Sequence, residues 1–305
     1  MDLNINHSIP NQFLIKIKDF TITIKREDLI DNYCSGNKFR KLKYNFLNLK
    51  KNGFNKIVTF GGAFSNHLYA TSLMGNINNI PTVGFVRGDE LLNQDKNPTL
   101  KFCEQNGMKL KFLDRGSYRL KEKSEIVSMY LKEKSKSYLI PEGGTNSLAI
   151  MGCKEIINKV DRKFDSICCP VGTGGTILGL IESSFKDQFI VGFPVSKNKN
   201  LITFIRNNTL KKNWIFQNDY SFGGYGKVSY DLIEFINKIS INHKILFDPI
   251  YNGKMLFGIF DLIKKNKWKW GKNILVIHTG GQQGIYGLNQ FLKRKKLKQI
   301  IIPDF

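Results

Sequence analysis

Lys38 lies in the run Ser35-Gly36-Asn37-Lys38-Phe39-Arg40-Lys41-Leu42, and glycine-rich turns follow at Gly61-Gly62, Gly172 to Gly175 and Gly280-Gly281. A lysine fixed near a sheet edge forms a Schiff base with an aldehyde once its amine is neutral, and an enclosed electropositive pocket lowers its pKa towards that state. A glycine turn that opens a helix holds a phosphate through converging backbone N–H groups and the helix's positive end. Pyridoxal 5'-phosphate (PLP) needs both, an amine for its aldehyde and a cup for its phosphate. Neither feature decides alone, because the chain carries 47 Lys and Arg and most such residues are solvated charges.

The run Gly172-Thr173-Gly174-Gly175-Thr176 is the candidate cup, with Thr173 and Thr176 adding hydroxyl donors. It lacks the Gly-Lys-Thr or Gly-Lys-Ser ending of a P-loop. A dinucleotide fingerprint fails too: Ile177 stands where a third glycine would fall, and no acidic residue closes the next strand, Ile190 to Phe193. Ser65-Asn66-His67 opens a helix beneath another glycine turn, where backbone N–H groups could grip a carboxylate. The plainer roles are an N-cap for Ser65 and an imidazole bonded into the fold for His67.

These residues need elements to place them, and the apolar runs supply them. Strands are expected at Phe20–Arg26, Ile57–Phe60, Pro81–Val86, Leu110–Leu113, Ser137–Ile140, Asp165–Val171, Phe189–Phe193 and Asn273–His278. Helices are expected over residues 38–51, from Ser65 through Met74, and over 98–106, 121–134, 147–160, 177–184, 231–239 and 254–265. Alternating strands and helices with short turns imply parallel sheets covered on both faces. The expected organisation is a larger unit of residues 1–41 plus 150–305 with a smaller α/β unit, 42–149, inserted. The site belongs in the cleft between them.

With 305 residues and 41% hydrophobic content the chain can build two ordinary cores. It has no apolar run long enough to span a membrane, and Met1-Asp2-Leu3-Asn4-Ile5-Asn6 does not read as a secretory signal. Five cysteines without a Cys-x-x-Cys pair, and only four histidines, argue against a zinc site or a disulfide framework and fit a reducing cytoplasm. The net charge of +22 invites a nucleic-acid reading. The charge is dispersed, Lys dominates over Arg, and no recognition motif accompanies it, so specific nucleic-acid binding is not expected.

The order of motifs carries more than any one of them. Lys25-Arg26-Glu27-Asp28, Gly36-Asn37-Lys38-Phe39-Arg40-Lys41-Leu42, Gly61-Gly62-Ala63-Phe64-Ser65-Asn66-His67, Pro141-Glu142-Gly143-Gly144-Thr145-Asn146, Gly172-Thr173-Gly174-Gly175-Thr176, Asp248-Pro249-Ile250-Tyr251 and His278-Thr279-Gly280-Gly281 follow in sequence. Over almost its full length the chain resembles the PLP-dependent fold-type II enzymes related to 1-aminocyclopropane-1-carboxylate (ACC) deaminase and D-cysteine desulfhydrase. That resemblance implies an open, twisted two-domain α/β sandwich of parallel sheets. It implies that Lys38 carries the cofactor, that Lys41 adds charge near the phosphate and that Asn66 bonds the cofactor's 3'-oxygen. It places Ser65 and His67 towards substrate, Thr279 near the pyridine nitrogen, and Tyr225 and Tyr251 as active-site phenols, a phenolate serving as base or nucleophile in ring opening. Arg40 has either a surface or an interdomain role.

Asn252 departs from the pattern: ACC deaminases usually carry Glu directly after the tyrosine matching Tyr251, whereas D-cysteine desulfhydrases carry a neutral residue. The resemblance therefore implies conversion of a small amino acid, with D-cysteine desulfhydration ahead of ACC deamination. A PLP-binding protein without catalysis is the non-enzymatic alternative. Relatives of this type are commonly dimers.

Overall fold

The computed structural model describes residues 7–303 except 32, 33, 35 and 135, so Ser35 of the lysine run and the first six residues lie outside it. Among the described residues ten strands form two sheets: β1 (Asn11–Ile17), β2 (Phe20–Lys25), β3 (Lys56–Gly61), β4 (Thr82–Arg87), β5 (Met108–Leu113), β6 (Ser137–Leu139), β7 (Ser166–Val171), β8 (Phe189–Pro194), β9 (Trp214–Phe216) and β10 (Asn273–Ile277). One sheet has six strands in the order β1-β2-β10-β7-β8-β9, and the other has four in the order β5-β4-β3-β6. Every pairing is parallel except the β1–β2 hairpin.

The central strands are apolar because both of their faces are covered. In β7 all six residues are buried. Ile274 and Val276 of β10 enter one core with Leu232, Ile236, Met255 and Ile259, from the helices Tyr230–His243 and Asn252–Lys264. Leu275 and Ile277 enter the opposite core with Cys153, Leu178 and Ile181, from the helices Ser147–Lys154 and Gly175–Ser183. The period of two along the strand thus feeds two cores at once. The edge strand β5 alternates between buried and open positions instead.

Several elements differ from expectation. The segment before Phe20 is a strand of its own, turned at Lys18 (φ 53°) into a hairpin with β2. The helix expected over 121–134 is broken: Lys121 takes a positive φ of 53°, and the chain restarts at Glu125–Glu133. The helix expected to reach residue 160 stops at Lys154, and Asn158 with Asp161 forms a capping box for a short 3₁₀ turn. The helices Lys199–Asn208 and Gly284–Arg294 and the strand β9 were not foreseen. All five cysteines are buried free thiols, and no helix among the described residues is long and apolar enough to cross a membrane.

One junction fixes the lysine run. The helix Asn37–Lys51 starts against the end of β10, where the Asn37 N–H donates to the Thr279 carbonyl at 3.3 Å. Gly36 has φ 74°, and a Cβ there would lie 2.1 Å from the Thr279 oxygen, so only glycine fits.

Candidate active site

A cavity of about 430 Å³ is lined by Lys38 and Lys41, by Ser65, Asn66 and His67, by Gly172, Thr173, Gly174 and Thr176, and by Tyr225, Tyr251 and Thr279. Twelve of the thirteen residues expected from the sequence therefore meet in one place. Gly175 does not line the wall; it is the first residue of the helix Gly175–Ser183, and a side chain there would crowd Thr145 and the Lys41 amine.

Lys38 projects from the first turn of its helix, and its Nζ donates to Asn37 Oδ1 at 3.0 Å. Asn37 in turn donates to Thr176 Oγ1 at 2.8 Å, which links the lysine to the cup. Burial, and then the neighbouring Lys41 charge, bring Lys38 down to about 7. Its amine is therefore available as a nucleophile at neutral pH.

Lys41 lies one helical turn on. Its Nζ donates to the Gly143 carbonyl at 2.8 Å, Thr145 Oγ1 at 3.1 Å and Thr173 Oγ1 at 3.4 Å, and burial lowers its pKa. Among the described residues no carboxylate pairs with it. A buried cation beside a glycine turn, ringed by hydroxyls, is complementary to an anion. Arg40 faces the other way: Glu27 accepts from it with both oxygens at 2.9 Å, and Glu155 lies 3.4 Å off. Its role is to anchor the lysine helix.

The second wall combines plain and functional roles. Ser65 is an N-cap, its oxygen accepting from the Leu68 N–H at 3.2 Å, while the residue still lines the cavity. Asn66 accepts from Gln283 Nε2 at 2.7 Å through its carbonyl oxygen, so the amide NH₂ is left to donate. Gly281 permits this approach, since a Cβ there would lie 2.8 Å from that nitrogen. The remaining donor matches an anionic ring oxygen.

His67 is 2% exposed and lies 2.8 Å from Thr59 Oγ1 through Nε2. Thr59 donates its own proton to the Ile140 carbonyl, so it must accept from Nε2–H. The imidazole is thereby fixed in one tautomer, with Nδ1 a lone pair that has no partner among the described residues. Burial and the two lysines hold its pKa well below 6.5. The side chain is an acceptor bonded into the fold, which does not suit a donor's part towards a substrate carboxylate.

The third wall is aromatic. Tyr251 caps the helix Asn252–Lys264 and packs its ring against Gly172. Asp248 orients it, accepting from the backbone N–H groups of Ile250, Tyr251 and Asn252 at 3.0, 2.7 and 3.0 Å. Tyr225 meets Tyr251 edge to face, with centroids 5.9 Å apart. Burial first, then Tyr225, push the Tyr251 phenol well above 10, so it is a proton donor rather than the phenolate expected for ring opening.

Asn252 is fully buried and all of its polar atoms are engaged. Its Nδ2 donates to Asp248 Oδ2 at 2.5 Å and to the Gly280 carbonyl at 2.8 Å, and its Oδ1 accepts from Thr279 N at 3.0 Å and Thr279 Oγ1 at 3.3 Å. It holds Thr279 in the wall but does not line the cavity itself. Sequence reasoning gave no role to Asn37, Thr59, Thr145, Lys254 or Gln283. Asn37 and Thr145 stand inside quoted motifs; Lys254 and Gln283 carry no local signal because their partners are distant in sequence, and Thr59 acts on nearby His67 only through its bond to the distant Ile140 carbonyl.

These residues fit PLP on the chemistry of the donor set: a near-neutral lysine, a cationic hydroxyl-lined glycine cup, and an amide donor across from them. The comparisons agree. The model of the family described as pyridoxal-phosphate dependent enzyme matches residues 8–280. A Thermotoga maritima protein provisionally named 1-aminocyclopropane-1-carboxylate deaminase is 32% identical over 93% of this chain and 96% of its own length. The Arabidopsis thaliana bifunctional D-cysteine desulfhydrase/1-aminocyclopropane-1-carboxylate deaminase is 29% identical over 86% of this chain and 73% of its own. A crystal structure of an ACC deaminase homologue superposes with a TM-score of 0.83, at 27% identity, over 95% of this chain and 94% of that one. The chain belongs to the pyridoxal-phosphate dependent enzymes of fold-type II, in the group related to ACC deaminase and D-cysteine desulfhydrase.

Proposed function

We propose that the enzyme eliminates the β-substituent of a small amino acid, with D-cysteine as substrate: D-cysteine and water give pyruvate, hydrogen sulfide and ammonia. PLP supplies an aldehyde for the substrate amine and an electron sink for the charge left at Cα. In this reading Lys38 holds the cofactor and, once released, takes the α-proton on its amine. Lys41, Thr173, Thr176 and the backbone of Gly172, Gly174 and Gly175 hold the phosphate. Asn66 donates to the 3'-oxygen, and Thr279 faces the ring nitrogen. The helix start at Ser65 and Asn66 receives the substrate carboxylate, and His67 contributes through its backbone and shape. Tyr251 keeps its proton and offers it to the departing sulfur, with Tyr225 alongside. The division into 1–41 plus 150–305 and 42–149, a homodimeric state and a cytoplasmic location belong to the same proposal.

The observation that carries the choice of substrate is Asn252. Its buried amide is fully used by Asp248, Gly280 and Thr279, and it brings no carboxylate to the ring nitrogen. Cleavage of ACC, which has no α-hydrogen, asks for strong activation of the ring, whereas a thiolate is a good leaving group. The test follows ammonia, sulfide and 2-oxoacid release from D-cysteine, L-cysteine, D-serine and ACC by the PLP-loaded protein. Sulfide and pyruvate from D-cysteine with ACC inert is the expected result. Release of 2-oxobutyrate from ACC would overturn it and favour the deaminase activity named for several relatives.

A further inference from the structure

Tyr225 stands in a loop that does little to hold itself. Phe222, Gly223, Gly224 and Gly226 all have positive φ, at 52°, 88°, 124° and 75°. Within the turn the Gly224 N–H donates to the Ser221 carbonyl at 3.0 Å, and the Lys227 N–H to the Gly224 carbonyl at 3.2 Å. The same two carbonyls are gripped from outside. Lys254 Nζ donates to Ser221 O at 2.9 Å and to Gly224 O at 2.8 Å.

Lys254 is 1% exposed and pairs with no carboxylate among the described residues. It sits in the first turn of the helix Asn252–Lys264, where the helix's positive end disfavours a cation. Burial works in the same direction and brings its pKa down to about 8. A methionine would fill the space without either cost, so the ammonium is explained by the carbonyls it holds. Three residues further on, Phe257 meets Phe222 edge to face at 5.1 Å. One helix therefore carries Tyr251 at its N-cap and both anchors of the loop that bears Tyr225.

We propose that Lys254 is a positioning residue: it clamps the loop Ser221–Lys227 and so sets the Tyr225 phenol against Tyr251 at the mouth of the cleft. It does not line the cavity. The proposal rests on the elimination reading only for the consequence on turnover; the clamp is tested independently of activity.

The experiment compares wild type, Lys254→Met, Tyr225→Phe and the double variant, all loaded with PLP. Loading is read by borohydride fixation of the cofactor to Lys38. Amide hydrogen exchange is measured over residues 221–227 and over the helix 252–264. Lys254→Met is expected to load normally, to speed exchange of the loop by roughly tenfold or more, and to leave the helix unchanged. Turnover of D-cysteine is expected to fall, with Tyr225→Phe adding less than about twofold on top, because both changes remove one placed phenol. Unaltered loop exchange, or fully multiplicative losses, would overturn the clamp. Lys254→Gln, which keeps a donor, is expected to give an intermediate loop rate. Failure of both Lys254 variants to fold and load would make Lys254 a folding residue and likewise end the proposal. Wild type inert on D-cysteine would instead count against the substrate reading, and the exchange data would still decide the clamp.

Discussion

Two side chains show what a residue type leaves open. From the sequence His67 could face substrate or bond into the fold, and the Thr59 to Ile140 hydrogen bond fixes it as an acceptor. The acceptor that settles the Thr59 proton, and with it the His67 tautomer, is the Ile140 carbonyl far along the chain, so no local pattern carries it. Lys38 was legible because its neighbours Gly36 and Asn37 are also needed. Its depressed pKa makes a testable statement. In apoenzyme the neutral amine is the reactive form, so the rate of PLP capture is expected to rise with pH around a midpoint near 7. Lys41→Gln removes the neighbouring cation that helps hold Lys38 down, and is expected to move that midpoint upward. Stopped-flow absorbance of loading against pH checks both. Asn252→Asp sets a second test. A carboxylate there would face Asp248 Oδ2, now 2.5 Å from the amide nitrogen. Stability should drop by about 1–3 kcal/mol at pH 8. The loss should shrink as pH falls, since the introduced carboxyl group can donate again once protonated. Urea unfolding at pH 5 and pH 8 measures it.

At the scale of elements, apolar runs revealed the buried strands, because β3, β7, β8 and β10 are buried along nearly their whole length and so are mostly apolar. The hairpin strand β1 and the short edge strand β9 were missed: an edge strand answers to one partner, and β9 has only three residues. Helix ends failed where tertiary bonds decided them, as at Glu155, which is held by Lys43, Arg40 and Tyr44 beyond the end of Ser147–Lys154. The lysine helix is fastened from outside the cleft by the buried Arg40–Glu27 pair. Breaking one partner leaves an uncompensated buried charge, so Glu27→Gln is expected to cost about 3–5 kcal/mol of stability. Because the pair lies away from the cavity, protein that stays folded should still load PLP on Lys38. Denaturant unfolding together with borohydride fixation separates the two effects.

At the scale of the whole molecule, the two sheets bring residues from positions 37 to 280 into one cleft, and the sequence displayed that convergence as an order of motifs rather than as any single signal. The net charge of +22 acts on the same scale. Ion pairs such as Lys25 with Asp161 and Arg40 with Glu27 already cancel within that figure, whereas Lys254, held by loop carbonyls, does not. The excess makes a long-range positive field, and the cleft adds Lys41 and Arg87 on its wall against Glu142. Such a field steers anions, and its effect is screened as the Debye length shrinks from about 30 Å at 0.01 M salt to about 8 Å at 0.15 M. PLP carries its phosphate charge into the cleft, whereas a small amino acid is a zwitterion with little net charge. Raising salt over that range is therefore expected to slow PLP capture by apoenzyme several-fold while leaving kcat/KM for the amino acid nearly constant. Equal salt effects on both would locate the field away from the cleft and leave the excess lysine without a part in cofactor capture.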